Sequence, residues 1–195
     1  YYNSFLKTTN NIRLGIARAG NVIGGGDWAK DRIVVDCIKA WTNNNHAIIR
    51  NPLATRPWQH VLEPLSGYLC LGQALATSEE LNGDAFNFGP KANQNHTVEE
   101  LITSLSSYWE FTNLSKTYEV ESNSNFYEAN LLKLNCDKAL SYLKWQAVLD
   151  YEQTTRFTGE WYYDNYLEKN VMDKTISQIS EYCKIASENK LPWTE

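Results

Sequence analysis

Only two runs in this 195-residue chain, residues 13–19 and 85–88, read as buried strands of a parallel sheet, and that scarcity limits the fold more than any other feature. The first lies in "IRLGIARAG", which mixes apolar and small residues without helical periodicity and runs straight into glycines. That is the pattern of a strand feeding a loop in an α/β sheet. The second lies in "DAFNFGP" and ends in a turn. A doubly wound sheet needs more strands than these, so an incomplete α/β architecture is expected.

The remaining chain alternates between helical and short extended patterns. "RIVVDCIKAWTNN" carries Ile33, Val34, Ile38 and Trp41 at helical spacing, and "HAIIRN" is a short strand closed by Pro52. From Leu62 to Ala76 the positions Leu62, Leu65, Leu69, Gly72 and Leu75 make one helical face, with Glu63 in the first turn, where a carboxylate suits the helix dipole. Thr97 followed by Glu100 is a capping-box signature ahead of Val98, Leu101, Ile102 and Leu105. "TYEVE" and "LLKLN" read as brief strands, and "CDKALSYLKW" and "YEQTTRFTGEWYYDNYL" as helices, the second amphipathic through Phe157, Trp161, Tyr162 and Tyr166. The tail from Asp173 to Asn189 is a last, mostly polar helix whose Ile176, Ile179 and Cys183 share one side, suited to packing on a neighbour.

Composition narrows the function classes. At 43% hydrophobic and 13% aromatic residues the chain has ample material for a packed core. Its formal net charge of -5 is dispersed, and no run of Lys or Arg interleaves with aromatics, which argues against a nucleic-acid partner. The four cysteines show no C-x-x-C or Cys/His ligand spacing, so neither a metal site nor a disulfide framework is expected, and a reducing cytoplasm fits best. No run approaches the ~18 apolar residues of a membrane span, so no membrane partner is expected.

The stretch "RAGNVIGGGDWAKDR", residues 18–32, has Gly24-x-Gly26-x-x-Ala29 at the spacing of a dinucleotide fingerprint. Three features argue against that use. The acidic residue that would meet a ribose, about 20 positions on, falls near His46; Asp27 puts a carboxylate where a diphosphate would sit; and no Lys-Ser or Lys-Thr follows as in a P-loop. A tight loop that exploits glycine's backbone freedom is the simpler reading. Around it stand Asn21 just past a strand end, Arg32 opening a helix, and Arg50 and Arg56 flanking "NPLAT". Guanidinium groups donate bidentate forks to phosphate oxygens, so together these residues suggest a phosphorylated small ligand. Trp58, His60 and Glu63 read as structural, by core packing, hydrogen bonding and helix initiation respectively.

"RAGNVIGGGDWAKDRIVVDCIKAW" (18–41), "IIRNPLATRPWQHVLEPLSGYLCLGQAL" (48–75), "FNFGP" (86–90), "YEANLLKLNCDKALSYLKW" (127–145) and the "EWY" helix (160–162) resemble the CDP-glucose 4,6-dehydratases of the extended short-chain dehydrogenase/reductase superfamily. The resemblance covers most of residues 1–166. It implies an α/β fold, the C-terminal part of an extended Rossmann fold with the smaller α+β substrate-binding domain. Residues 1–30, with strand 85–90 returning to them, would finish the Rossmann domain. Residues 31–166 would be mainly the nucleotide-sugar-binding domain, and 167–195 a helical tail.

By the same resemblance the whole enzyme is an NAD-dependent lyase of deoxysugar and O-antigen biosynthesis. It binds CDP-glucose, oxidises C4 with NAD, loses water across C5 and C6 and returns the hydride to C6, giving CDP-4-keto-6-deoxyglucose, and it is a homo-oligomer. The NAD fingerprint and the catalytic Tyr-x-x-x-Lys are expected upstream of Tyr1, so this segment alone should be inactive and no catalytic residue is assigned within it. Tyr2 and Lys7 are five apart rather than four.

Residue by residue, Asn21 corresponds to a sugar-diphosphate contact, and Ala19 and Gly20 lie at the turn near the nicotinamide. Arg32 and Ile33 open the helix that meets the diphosphate, and Ala47, Ile49 and Arg50 belong to the strand beside the nucleobase. Arg56 corresponds to the diphosphate clamp, Asn87 to a second nucleotide-side contact, and Glu128 and Asn130 to the segment closing over the nucleotide. The chain departs from the family at Val35, Tyr127 and Lys144, where Pro, His and Gly are expected. An epimerase or reductase for another nucleotide sugar, and a noncatalytic nucleotide-sugar-binding module, remain as alternatives.

Overall fold

The computed structural model describes residues 2–8, 12–109, 117–121 and 133–194. The two sequence-predicted strands, β1 (Ile16–Ala19) and Ala85–Phe88, pair in parallel with Ile16 opposite Ala85. The expectation of two buried strands is corrected for the first: it is shorter than residues 13–19, with Ile16, Ala17 and Arg18 exposed and Ala19 half-buried, whereas Phe86 and Phe88 are buried. Between them lie β2 (Val22–Ile23), α1 (Ile33–Thr42), β3 (Ala47–Ile49), β4 (Thr55–Arg56), β5 (Gln59–His60) and α2 (Leu62–Thr77), so Ala85–Phe88 is β6. β7 (His96–Thr97), α3 (Val98–Ser106), β8 (Tyr118–Val120), α4 (Asp137–Leu143), α5 (Tyr151–Tyr166) and α6 (Val171–Glu188) follow. The pairs β2–β5 and β3–β8 are parallel, and β4–β7 is antiparallel. Of "LLKLN", residues 133–135 carry no strand, and residues 131 and 132 lie outside the described residues.

The capping box forms at α3, where the Thr97 hydroxyl accepts from the Glu100 amide and the Glu100 carboxylate accepts from the Thr97 amide. A second, formed by Asp150 and Gln153, starts α5. α1, α3 and α5 enclose a core of Val34, Ile38, Trp41, Leu101, Leu105 and Tyr162. A second core joins α2, β6 and α4 through Leu71, Phe86, Phe88 and Trp145. A third lies beneath α6, with Leu149, Phe157, Tyr182 and Ala186.

One amphipathic reading is corrected. On α2 the expected core face is turned outward: Leu65 is 47% and Leu69 76% exposed, while Glu63, Pro64, Ser66, Gly67 and Leu71 are buried. The helix seats itself by its small side, because Phe88 occupies the space beside Gly67, where an added Cβ would stand 2.2 Å from the ring. On α6 the inward residues are Gln178, Tyr182 and Ala186, whereas Ile176, Ile179 and Cys183 face outward. Gln178 donates to the Phe157 carbonyl and the Tyr182 hydroxyl to the Glu63 carboxylate, so hydrogen bonding selects the polar face.

α4 ends at Lys144, whose φ of 53 lies in the left-handed region. Glycine adopts that conformation without the Cβ penalty, which gives a physical reason for the glycine that the family resemblance places there. Lys144→Gly is therefore expected to raise stability by about 0.5–1 kcal/mol, read as an upward shift in the thermal midpoint; a lower midpoint would count against the strain argument.

Candidate functional site

The site starts where β1 ends. Asn21 takes the turn from β1 to β2 with φ 50, a conformation Asn tolerates better than most residues, and its carbonyl accepts from the Gln59 amide. The buried Gln59 side chain donates to the carbonyls of Gly20 and Phe88, at 3.0 and 2.9 Å, tying the ends of β1 and β6 together. Beyond β2 the glycine run packs tightly. A Cβ on Gly24 would lie 2.9 Å from Val61, one on Gly25 would lie 2.0 Å from the Trp161 ring, and Gly26 has φ +85. The Tyr162 hydroxyl donates to the Asp27 carbonyl at 2.7 Å, and Trp28 meets the Tyr162 ring edge-on. Lys39 donates to the Trp28 carbonyl, and α1 begins only at Ile33.

This geometry answers the fingerprint question. The Trp161 indole takes the room beside the glycines, and the loop does not open directly into a helix, so the residues of this loop do not fit the pyrophosphate of NAD. Gly20, assigned near the nicotinamide, lies against Leu134, which an added Cβ would approach to 3.2 Å.

A cavity of about 1050 Å³ borders the loop. Seven of the sequence-predicted residues line it: Ala19, Asn21, Arg32, Ile33, Ile49, Arg50 and Arg56. Arg32 ends the loop, β3 brings Ile49 and Arg50, and β4 brings Arg56, whose guanidinium also donates to the Thr55 carbonyl. Ala47 is buried and, like Gly20 and Asn87, does not line the cavity. Asn87 instead donates its amide to the Asn135 carbonyl at 2.9 Å. Glu128 and Asn130, with Tyr127, lie outside the described residues.

Four acidic residues missed by the sequence-based assignment share the lining: Asp27, Asp31, Asp36 and Glu121. Burial, reinforced by the charge of Asp31 and opposed by Lys39, raises the Asp36 carboxyl above the ordinary range. Burial likewise pushes the Tyr162 phenol up. Carboxylates interleaved with arginines accept hydroxyl or amino protons while the arginines take anionic oxygens. The chemistry suits a ligand carrying both kinds of group better than a bare polyphosphate.

Trp58 is buried, donates to the His96 carbonyl at 3.2 Å and also lines the cavity. His60 and Glu63 do not line it. His60 is buried against Phe157, and burial lowers its imidazole to about 4. Among the described residues no group of three or more His, Cys, Asp or Glu is placed to hold a metal, and no helix is long and apolar enough to cross a membrane.

The resemblance read from the sequence is borne out by comparison with known proteins. The chain is 36% identical over 186 residues to CDP-glucose 4,6-dehydratase of Salmonella typhimurium, a match covering 93% of this chain and 51% of that protein. No family model matches it. Among solved structures it is similar to UDP-glucuronic acid 4-epimerase from Bacillus cereus, solved with UDP-glucuronic acid and NAD, with a TM-score of 0.68 at 18% identity over 85% of this chain and 48% of that one. It is also similar to dTDP-glucose 4,6-dehydratase from Bacillus anthracis, in complex with NAD, with a TM-score of 0.61 at 16% identity over 80% and 46% of the two chains. The fold is therefore the Rossmann-like α/β arrangement of short-chain dehydrogenase/reductase epimerases and dehydratases. The chain spans about half the length of the relatives it matches.

Proposed function

We propose that this chain is the substrate side of a sugar-nucleotide dehydratase that converts CDP-glucose to CDP-4-keto-6-deoxyglucose. The observation that carries the reading is the opening of Asn21, Arg32, Arg50 and Arg56, from four separate segments, onto one cavity. The similarity to a CDP-glucose 4,6-dehydratase over nearly the whole chain supports the cytidine sugar as ligand. In this reading Arg32 and Arg56 neutralise the diphosphate, Asn21 donates to it, and the segment from Ala47 to Arg50 borders the base. Ala19 and Gly20 lie toward the nicotinamide, and Asn87, Glu128 and Asn130 remain proposed nucleotide-side contacts. NAD, which would supply the redox chemistry, is assigned mainly to the half of the relative that this chain does not span. Residues 1–30 with β6 would complete a Rossmann domain there, and the intact enzyme would be a cytoplasmic homo-oligomer. What this chain contributes is orientation and charge neutralisation, the positioning share of catalysis.

Calorimetric titration with CDP tests the ligand. Binding is expected, with Arg56→Ala weakening it by about tenfold to a hundredfold, the loss of a charge-assisted pair to phosphate. No heat at millimolar CDP, or no effect of the substitution, would remove the diphosphate assignment. The structural likeness to 4-epimerases for UDP sugars makes a rival reading concrete, and UDP bound more tightly than CDP would favour it.

A further inference from the structure

Helix α6 touches no part of the cavity, yet it is bonded to the wall that forms it. The Thr175 hydroxyl donates to the Val171 carbonyl at 2.8 Å, which turns its lone pairs toward Trp161, and the Trp161 indole N–H donates to it at 2.9 Å. The held indole is the group that fills the space beside Gly25, with Gly26 within 3.8 Å of the same ring through an added Cβ. Its neighbour Tyr162, packed against it edge-to-face, reaches the Asp27 carbonyl and itself lines the cavity. Gly24, Gly25 and Asp27 are lining residues too, so the loop against which Trp161 packs is itself part of the cavity wall, although Trp161 does not line the cavity.

The α5–α6 seam is otherwise rigidly fastened. Lys174 bridges Glu160 and Asp164 at 3.3 and 3.0 Å, Arg156 pairs with Glu181, and Gln178 holds the Phe157 carbonyl. Rotation of Trp161 away from the loop would leave its N–H without an acceptor in a partly buried place, at a cost comparable to the bond itself. A side chain locked on its far edge presents a fixed surface on its near edge.

We infer that Thr175 is a positioning residue for the ligand cavity, acting through Trp161 on the loop from Gly24 to Asp27, and that α6 thereby sets the shape of the site from outside it. The ligand part of this inference rests on the reading of the cavity as a nucleotide-sugar site; the mechanical part does not.

Thr175→Val keeps the shape and removes the acceptor, and Thr175→Ser keeps the acceptor. In Thr175→Val, amide hydrogen exchange over residues 24–28 is expected to quicken about tenfold, the worth of one hydrogen bond, while exchange at Leu101 and Ile102 in α3 is unchanged. Thr175→Ser should restore wild-type exchange, and CDP affinity should fall about tenfold in the valine variant and recover in the serine one. Unchanged loop exchange in Thr175→Val, or acceleration spread equally to α3, overturns the inference. So does wild-type CDP affinity in a valine variant whose loop has loosened. If the wild-type chain takes up no CDP while the exchange pattern holds, the ligand reading falls and the mechanical control of the loop stands.

Discussion

Replacing Glu63 by alanine should cost the fold about 3–5 kcal/mol, the cost of breaking a buried hydrogen-bond network on one side. Glu63 is 1% exposed and accepts from the amides of Val148 and Leu149, at 3.0 and 2.7 Å, and from the Tyr182 hydroxyl at 3.0 Å. Tyr182 in turn bonds Ser66, which accepts from the Trp145 indole. One carboxylate thus joins α2, the strap before α5 and α6. Alanine would leave the two buried amides unpaired, each costing about 1–3 kcal/mol, and the Tyr182 hydroxyl with Ser66 alone. Urea denaturation measures the loss, and a change below about 1 kcal/mol would show the network to be dispensable.

The same residue shapes the pH response. Burial outweighs the three donors and pushes the Glu63 carboxyl from 4.5 up to about 7. Because the folded value lies above the unfolded one, the proton stabilises the fold, and that contribution is present below 4.5 and lost as pH rises through about 7. His60 runs the other way: burial lowers it from 6.5 to about 4, so its contribution is present above 6.5 and lost as pH falls toward 4. The two slopes oppose each other across the window they share. Glu63→Gln should uncover the His60 slope, with stability rising between about pH 4.5 and 6.5 by about 2–3 kcal/mol more than in wild type. Carboxylates held low in every variant, such as Glu100 and Asp164, cancel in the comparison. Parallel profiles for the two proteins would contradict the argument.

Gly67→Ala should be the most damaging single methyl in α2. The new Cβ would stand 2.2 Å from Phe88 Cδ1 and 2.5 Å from Cε1. The ring has nowhere to go, since it is fully buried and meets Tyr68 and Trp145 edge-on at centroid distances of 5.6 and 4.9 Å. Overpacking of this kind costs about 3 kcal/mol or more, visible as a lower midpoint in thermal and urea unfolding. Gly72→Ala, one and a half turns further along the same helix, meets nothing within 4 Å. There the gain in helix propensity should dominate, about 0.5–1 kcal/mol in favour of the variant. Equal effects at the two sites would refute the packing of α2 against β6.

What could be read from residues alone divides along physical lines. β1 and β6 were legible as apolar runs, and α3 through its capping box, because those signals are local. β2, β4, β5 and β7 have two residues each, too short for any periodicity, and exist only because a distant partner supplies the backbone bonds. The α2 face runs against expectation because leucines mark a core only when the small side offers nothing better; here Gly67 admits an aromatic ring. Among the candidate site residues, arginines near strand ends stood out, whereas Asp31, Asp36 and Glu121 look in sequence like ordinary solvated charges. Only the three-dimensional arrangement puts them on the same cavity as Arg32, Arg50 and Arg56.

The strand pairings have a further consequence, for the way the chain reaches this state. Ile16 meets Ala85, Val22 meets Gln59, Ala47 meets Tyr118 and Thr55 meets Thr97. Among the described residues no two sequential strands form a hairpin, so each ladder must close a long stretch of backbone before its bonds reward it. The α5–α6 pair, joined by a short connection, has no such handicap. Its assembly should run ahead in refolding, with the strand ends that frame the cavity among the last parts to settle.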